Sequence, residues 1–135
     1  MVYLDANVFL YPMLYDPATE PKAKRARDLL TDVVSGKIRA STSTLTWDEV
    51  VWVIWRLVGR PEAVRAGTLL LRFPNLRFVE VTGPVITKAQ EVMTEYGLRP
   101  RDSIHVASAL IIGDNEIVSD DVDFDRVDII TRIPL

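Results

Sequence analysis

The chain has no cysteine and a single histidine. That excludes a disulfide framework and any thiolate metal site, and leaves no set of histidines to hold an ion. Long hydrophobic runs are also missing. The most apolar stretch, Val50-Val51-Trp52-Val53-Ile54-Trp55, is far too short to span a bilayer. Asp5 and Asn7 interrupt the apolar N-terminus before a signal-peptide core could form, so a cytoplasmic protein with no membrane contact is expected. A positive excess is absent too: 16 Lys and Arg stand against 19 Asp and Glu, a net charge of −3. A bulk electrostatic grip on nucleic acid is thereby disfavoured, though a local basic rim around an acidic, metal-neutralised centre is not.

What is present describes a globular chain. With 48% hydrophobic and 26% charged residues over 135 positions, the sequence suits one domain, residues 1–135, with a substantial core. No repeat, low-complexity tract or long linker divides it. The pattern alternates strands and helices, which predicts an α/β fold with a mainly parallel sheet. Residues 2–5 read as a buried strand and the stretch to Leu14 as helical, with a turn at Asp16-Pro17. Further helices are predicted over 19–35, from Thr44 or Thr46 through Val58, over 61–71 and 84–96, and from Pro100 to about Ile112. Strands are expected at 38–42, 77–81 and 116–119, with a short last one at 127–130. Thr46-Trp47-Asp48-Glu49 fits a capping box at the start of the 45–58 helix.

Four acids at the edges of these elements draw the chemical argument. Asp5 closes the run Val2-Tyr3-Leu4, Glu49 and Asp102 stand early in their helices, and Asp121 follows Ile117-Val118. A carboxylate at the rim of a buried element is costly to desolvate, so it is normally paired or bound to a cation. In a parallel α/β sheet such positions converge beyond the carboxyl ends of the strands. An all-oxygen set with no Cys or His partners favours a hard ion, magnesium or manganese, and the phosphoryl or phosphodiester chemistry that such ions support. Each acid also has a plain structural reading. Glu49 completes the capping box, Asp102 suits the positive end of a helix, and Asp121 belongs to the acid-rich run Asp120–Asp125.

Taken together, Leu4-Asp5-Ala6-Asn7-Val8-Phe9, the central Glu49, Arg101-Asp102-Ser103-Ile104-His105-Val106-Ala107 and Ile117-Val118-Ser119-Asp120-Asp121-Val122-Asp123-Phe124 resemble the ordered motifs of PIN domains. The resemblance spans essentially the whole chain and is nearest to the small VapC-like ribonucleases of toxin–antitoxin pairs. It implies a three-layer fold with a central, mainly parallel sheet flanked by helices. It also implies a Mg²⁺ or Mn²⁺ site made by Asp5, Glu49, Asp102 and Asp121, which hydrolyses RNA phosphodiester bonds. Asn7 and Ser119 match the polar positions that support the first and fourth acids. Asp120 and Asp123 are close enough to replace or assist Asp121, and Asp48 is the alternative to Glu49. Expected partners are RNA, a small antitoxin protein and a second copy of the chain.

Other features weigh differently. His105, one turn after Asp102, reads as a packed helix position outside the catalytic set. Trp47, Val51, Ile54 and Val58 form a helical stripe, but Val50, Trp52, Val53, Trp55 and Leu57 make the rest of that helix apolar as well. This excess predicts burial of one face against a subunit or partner. Lys22–Arg27 reads as the wet side of a helix, while Arg99 and Arg101 flank Asp102 as candidates for phosphate contact. Competing functions are a PIN nuclease of RNA processing, a non-catalytic partner-binding α/β module, a phosphatase using Asp5, and a phospho-receiver. The phosphatase lacks its usual second Asp, since Asn7 stands there, and the receiver lacks its paired acids and late Lys.

Overall fold

A computed structural model describes residues 1–135. Five parallel strands form one sheet: β1 (Val2–Leu4), β2 (Ala40–Ser43), β3 (Leu76–Val79), β4 (Glu116–Val118) and β5 (Thr131–Ile133), in the order β3-β2-β1-β4-β5. Six helices surround it: α1 (Ala6–Leu14), α2 (Pro21–Val34), α3 (Leu45–Leu57), α4 (Arg60–Leu71), α5 (Gly83–Tyr96) and α6 (Pro100–Ile111). The chain moves outward from β1 through β2 to β3, then returns to the other side of β1 for β4 and β5. Strand order therefore reverses between β1 and β4, the switch point beside which parallel α/β sheets place their ligand sites.

Strand alternation builds two cores. Leu4 and Val118 point to one face and pack with Val8, Phe9, Ala26, Val50 and Leu70. Tyr3 and Ile117, paired in register, point to the other and pack with Val92, Val106, Ala109 and Phe124. Each large side chain withdrawn from water in this way contributes about 1.5–3 kcal/mol. β2 is unusual, because all of Ala40-Ser41-Thr42-Ser43 is buried although three of the four residues carry hydroxyls. Their needs are met locally: Ser41 donates to Asp114, and Thr42 donates to the Leu4 carbonyl and shares a hydrogen bond with Thr46.

That last contact corrects the expected capping box. Thr46 lies inside α3 with its hydroxyl engaged by Thr42, Thr44 makes no side-chain cap, and the Ser43 hydroxyl accepts from the Leu45 N–H instead. Glu49 is thus free of capping duty. The last strand is corrected as well. Val127 and Ile130 enter the core from a turn, and the residues that pair with β4 are Thr131–Ile133. The buried stripe of α3 is Thr46-Val50-Ile54 rather than the one through Trp47 and Val58, both of which are exposed. Trp47 lies over α4 at Gly67, where an added Cβ would come within 3.0 Å of the indole nitrogen. Gly97, in the left-handed conformation at φ 68°, ends α5 as expected. No helix is long and apolar enough to cross a membrane.

Candidate metal centre

Asp5 leaves β1 and caps α1, and its backbone N–H is held by the Val118 carbonyl of the neighbouring strand. Its carboxylate is almost fully buried and fully wired. One oxygen accepts from the Ala6 N–H at 2.7 Å, and the other accepts from the Ser119 hydroxyl at 2.6 Å and the Asn7 amide at 3.3 Å. Ser119, just past β4, also accepts from the Asp121 N–H at 3.0 Å. Asn7 and Ser119 thus tie the ends of β1 and β4 together around one carboxylate.

Glu49 approaches from the first turns of α3. One of its oxygens meets His105 Nε2 at 2.5 Å, and the same nitrogen stands 3.6 Å from Asp5. Asp5, Glu49 and His105 each bring a ligand-type atom within 4.8 Å of the other two. A second trio, Asp102, Asp121 and Asp123, is equally tight. Asp121 caps the short 3-10 helix Val122–Arg126 by accepting from the Asp123 N–H, so the acid-rich run is an ordered turn with Asp121 beside Asp102.

The two trios adjoin. Burial first, then the charges of Asp121 and Asp5, push the Asp102 carboxyl up to about 6, and Glu49 adds to the push. The charge of His105, one turn along α6, opposes it. His105 is itself pulled both ways. Burial favours its neutral form, but the Glu49 hydrogen bond and the charges of Asp5, Glu49 and Asp102 outweigh burial and hold its pKa above the ordinary value. Asp5, Glu49, Asp102 and Asp121 therefore lie near one another at the carboxyl edge.

The alternatives separate on contacts. Asp120 is occupied elsewhere, accepting from Lys22 and from the Tyr11 hydroxyl at 2.7 Å each. The same two hydrogen bonds hold its pKa below the usual carboxylate range in spite of desolvation. Asp48 is exposed and lies 3.9 Å from Arg101. Asp123 stays beside Asp121, with Arg126 at 3.2 Å. Arg99 and Arg101 remain exposed next to Asp102, whereas Lys24 and Arg27 pair with Asp28 on the outer side of α2. His105 is packed, as expected, yet its bond to Glu49 went unread. The single signal for it was its place one turn after Asp102, because both of its partners are remote in sequence.

The four acids offer oxygen donors alone, and burial with the charges of its acidic neighbours outweighs what His105 contributes at Asp102. Those residues fit a hard divalent ion. Asp5, Glu49, Asp102, Asp121 and Asp123 could hold one.

Solved structures share this fold at low sequence identity. VapC20 of Mycobacterium tuberculosis, described as a sarcin–ricin loop cleaving toxin, aligns with a TM-score of 0.75 at 19% identity, covering 95% of each chain. VapBC-1 of nontypeable Haemophilus influenzae gives 0.68 at 18%, over 99% of this chain and 98% of that one. VapBC2 of Rickettsia felis, bound to a DNA fragment from its promoter, gives 0.71 at 13%, over 99% and 98%. No curated protein sequence matches. The PIN domain family model matches residues 2–130, a span that takes in every acid of the site, and the chain belongs to the PIN domain family.

Proposed function

We propose that this chain is a Mg²⁺- or Mn²⁺-dependent endoribonuclease, with residues 1–135 acting as one PIN-like domain. The observation that carries the reading is the meeting of four acids from the end of β1, α3, α6 and the turn after β4, one of them pushed up to about 6 by burial and by the charges of the others. A divalent ion bound there would polarise a phosphate oxygen and lower the pKa of bound water. The chain's own part is positional. Ser119 and Asn7 fix Asp5, the 3-10 turn fixes Asp121, and whichever carboxylate oxygen stays outside the ion's shell is available to take a proton from water. Arg99 and Arg101 supply positive charge at the rim for the substrate backbone. Purified protein should cut single-stranded RNA with Mg²⁺ or Mn²⁺ and stop with EDTA. Cleavage that persists in excess EDTA would reject the metal-dependent reading.

The toxin role in a type II toxin–antitoxin pair, in the cytoplasm, is the biological setting we favour. Membership in the PIN family supports it, as does the likeness to the toxin VapC20 and to a toxin–antitoxin complex from Klebsiella pneumoniae. So does the apolar surface left open on α3 and α4, where Trp52 is 53% and Leu69 65% exposed. A cleft of about 370 Å³ lined by Phe9, Met13, Leu30, Leu69 and Phe73 continues that surface toward α1 and α2. A small antitoxin and a second copy of the chain are the proposed occupants of these faces. If Trp52 faces the self-association interface, Trp52→Glu should shift the protein toward monomer in light scattering. A wild-type monomer at high concentration would remove the homodimer.

A further inference from the structure

His105 is the one histidine of the chain and has no exposed surface, yet both ring nitrogens are occupied. Nδ1 lies 2.6 Å from the Tyr3 hydroxyl, and Nε2 lies 2.5 Å from Glu49. Tyr3 is equally buried, on the central strand, and its ring meets the imidazole edge-on with centroids 5.7 Å apart. Small buried residues flank the pair: Ser41 stands in register with Tyr3 on β2, and Ser43 of β2 and Ser108 of α6 lie near its hydroxyl. Resting on the nuclease reading above, we propose that His105 is a positioning residue, clamped by Tyr3 at Nδ1 and donating from Nε2 to Glu49, so that one Glu49 oxygen is held and the other is presented to the divalent ion.

Proton accounting fixes the direction of the clamp. A carboxylate oxygen accepts, so the hydrogen between Glu49 and Nε2 belongs to the imidazole, while the Tyr3 hydroxyl, able to donate or to accept, meets Nδ1. Nε2, the end that faces Glu49, therefore bears hydrogen whether Nδ1 accepts from Tyr3 or donates to it. The same argument removes His105 from the ligands. Although it forms a trio with Asp5 and Glu49, an Nε2 that bears hydrogen cannot coordinate a metal, and Nδ1 faces Tyr3. Outer groups that orient a ligand in this way typically carry about 10–100-fold in metal affinity.

Because the chain has one histidine, ring-nitrogen NMR of the 15N-labelled protein reports this residue alone. The proposal predicts a proton on Nε2 that survives saturating Mg²⁺, a changed Nε2 resonance in Glu49→Gln and a changed Nδ1 resonance in Tyr3→Phe. An Nε2 without hydrogen, or a ring spectrum indifferent to both variants, would overturn it. Calorimetric titration with Mn²⁺ gives the second reading. His105→Gln, whose amide nitrogen can reach the position of Nε2, should bind within about threefold of wild type, whereas His105→Asn, which reaches only the position of Nδ1, should lose about tenfold or more. Wild-type affinity in His105→Asn, or equal losses in both variants, would count against the clamp. Absence of Mn²⁺ binding by the unmodified chain would instead defeat the nuclease reading, and the ring spectrum would still decide whether His105 holds Glu49.

Discussion

The two halves of the acidic site are built on opposite terms. Asp5 and Glu49 are wired: a backbone N–H, a hydroxyl, an amide and an imidazole account for their inward oxygens. Asp102 is not, since what acts on it is burial and the charge of other acids. One half is held by the fold whether or not an ion is present. The other carries an electrostatic cost that a cation would relieve, which is how a protein keeps a site assembled and still leaves room for binding energy.

Several substitutions would break or sharpen that contrast. The largest effect belongs to Asp5→Asn, which removes a charge from the wired half with little change in volume. RNA cleavage should fall by on the order of 10²–10³-fold or more, with the fold retained by circular dichroism. Undiminished cleavage would reject Asp5 as central. Ser119→Ala should come next, and its effect is on stability. It strips a charge-assisted hydrogen bond from Asp5 and leaves the Asp121 N–H without its acceptor, a loss of about 1–3 kcal/mol in urea unfolding.

Asp102→Asn should act with the opposite sign in ion-free protein. The folded-state pKa of about 6 lies above the unfolded value, so the folded state holds this proton more tightly. The stability it lends is complete below the unfolded pKa of about 4 and is lost as pH rises through about 6. Above that pH the Asn variant should be the more stable, by about 1 kcal/mol once the part of the carboxylate that water still reaches is discounted. Below pH of about 4 the difference should vanish. Equal stability at every pH would mean that Asp102 carries no such cost. The smallest effect is expected from Asp120→Asn. With that carboxylate engaged by Lys22 and Tyr11, Mn²⁺ affinity should change by less than about threefold.

How much of this was legible in the sequence depended on range. Short apolar runs ended by Asp marked β1 and the region after β4, because a buried parallel strand and a polar edge residue are both local signals. The edge strand β5 was not legible. Its pairing residues Thr131 and Arg132 are polar because only β4 flanks them, while the apolar Val127 and Ile130 beside them serve the core from a turn. The capping box failed for a tertiary reason, since a buried Thr42 on β2 claims the Thr46 hydroxyl. On α3 the face through Thr46, Val50 and Ile54 packs inward and the three Trp residues are left outside, a choice between two apolar faces that periodicity alone does not make. The four acids were visible as edge residues. Their wiring was not, because Ser119 and His105 reach Asp5 and Glu49 across 114 and 56 residues of chain.

The central claim is that one hard divalent ion site is made by carboxylates of both halves. A crystal soaked in Mn²⁺ and measured for anomalous scattering tests it directly. The account predicts a peak at the carboxyl edge between β1 and β4, ligated by oxygens of Asp5 and Asp102 with Glu49 and Asp121 contributing directly or through water, and with His105 outside the shell. No peak there at saturating Mn²⁺, or a peak ligated by His105 in place of Asp102, would contradict it.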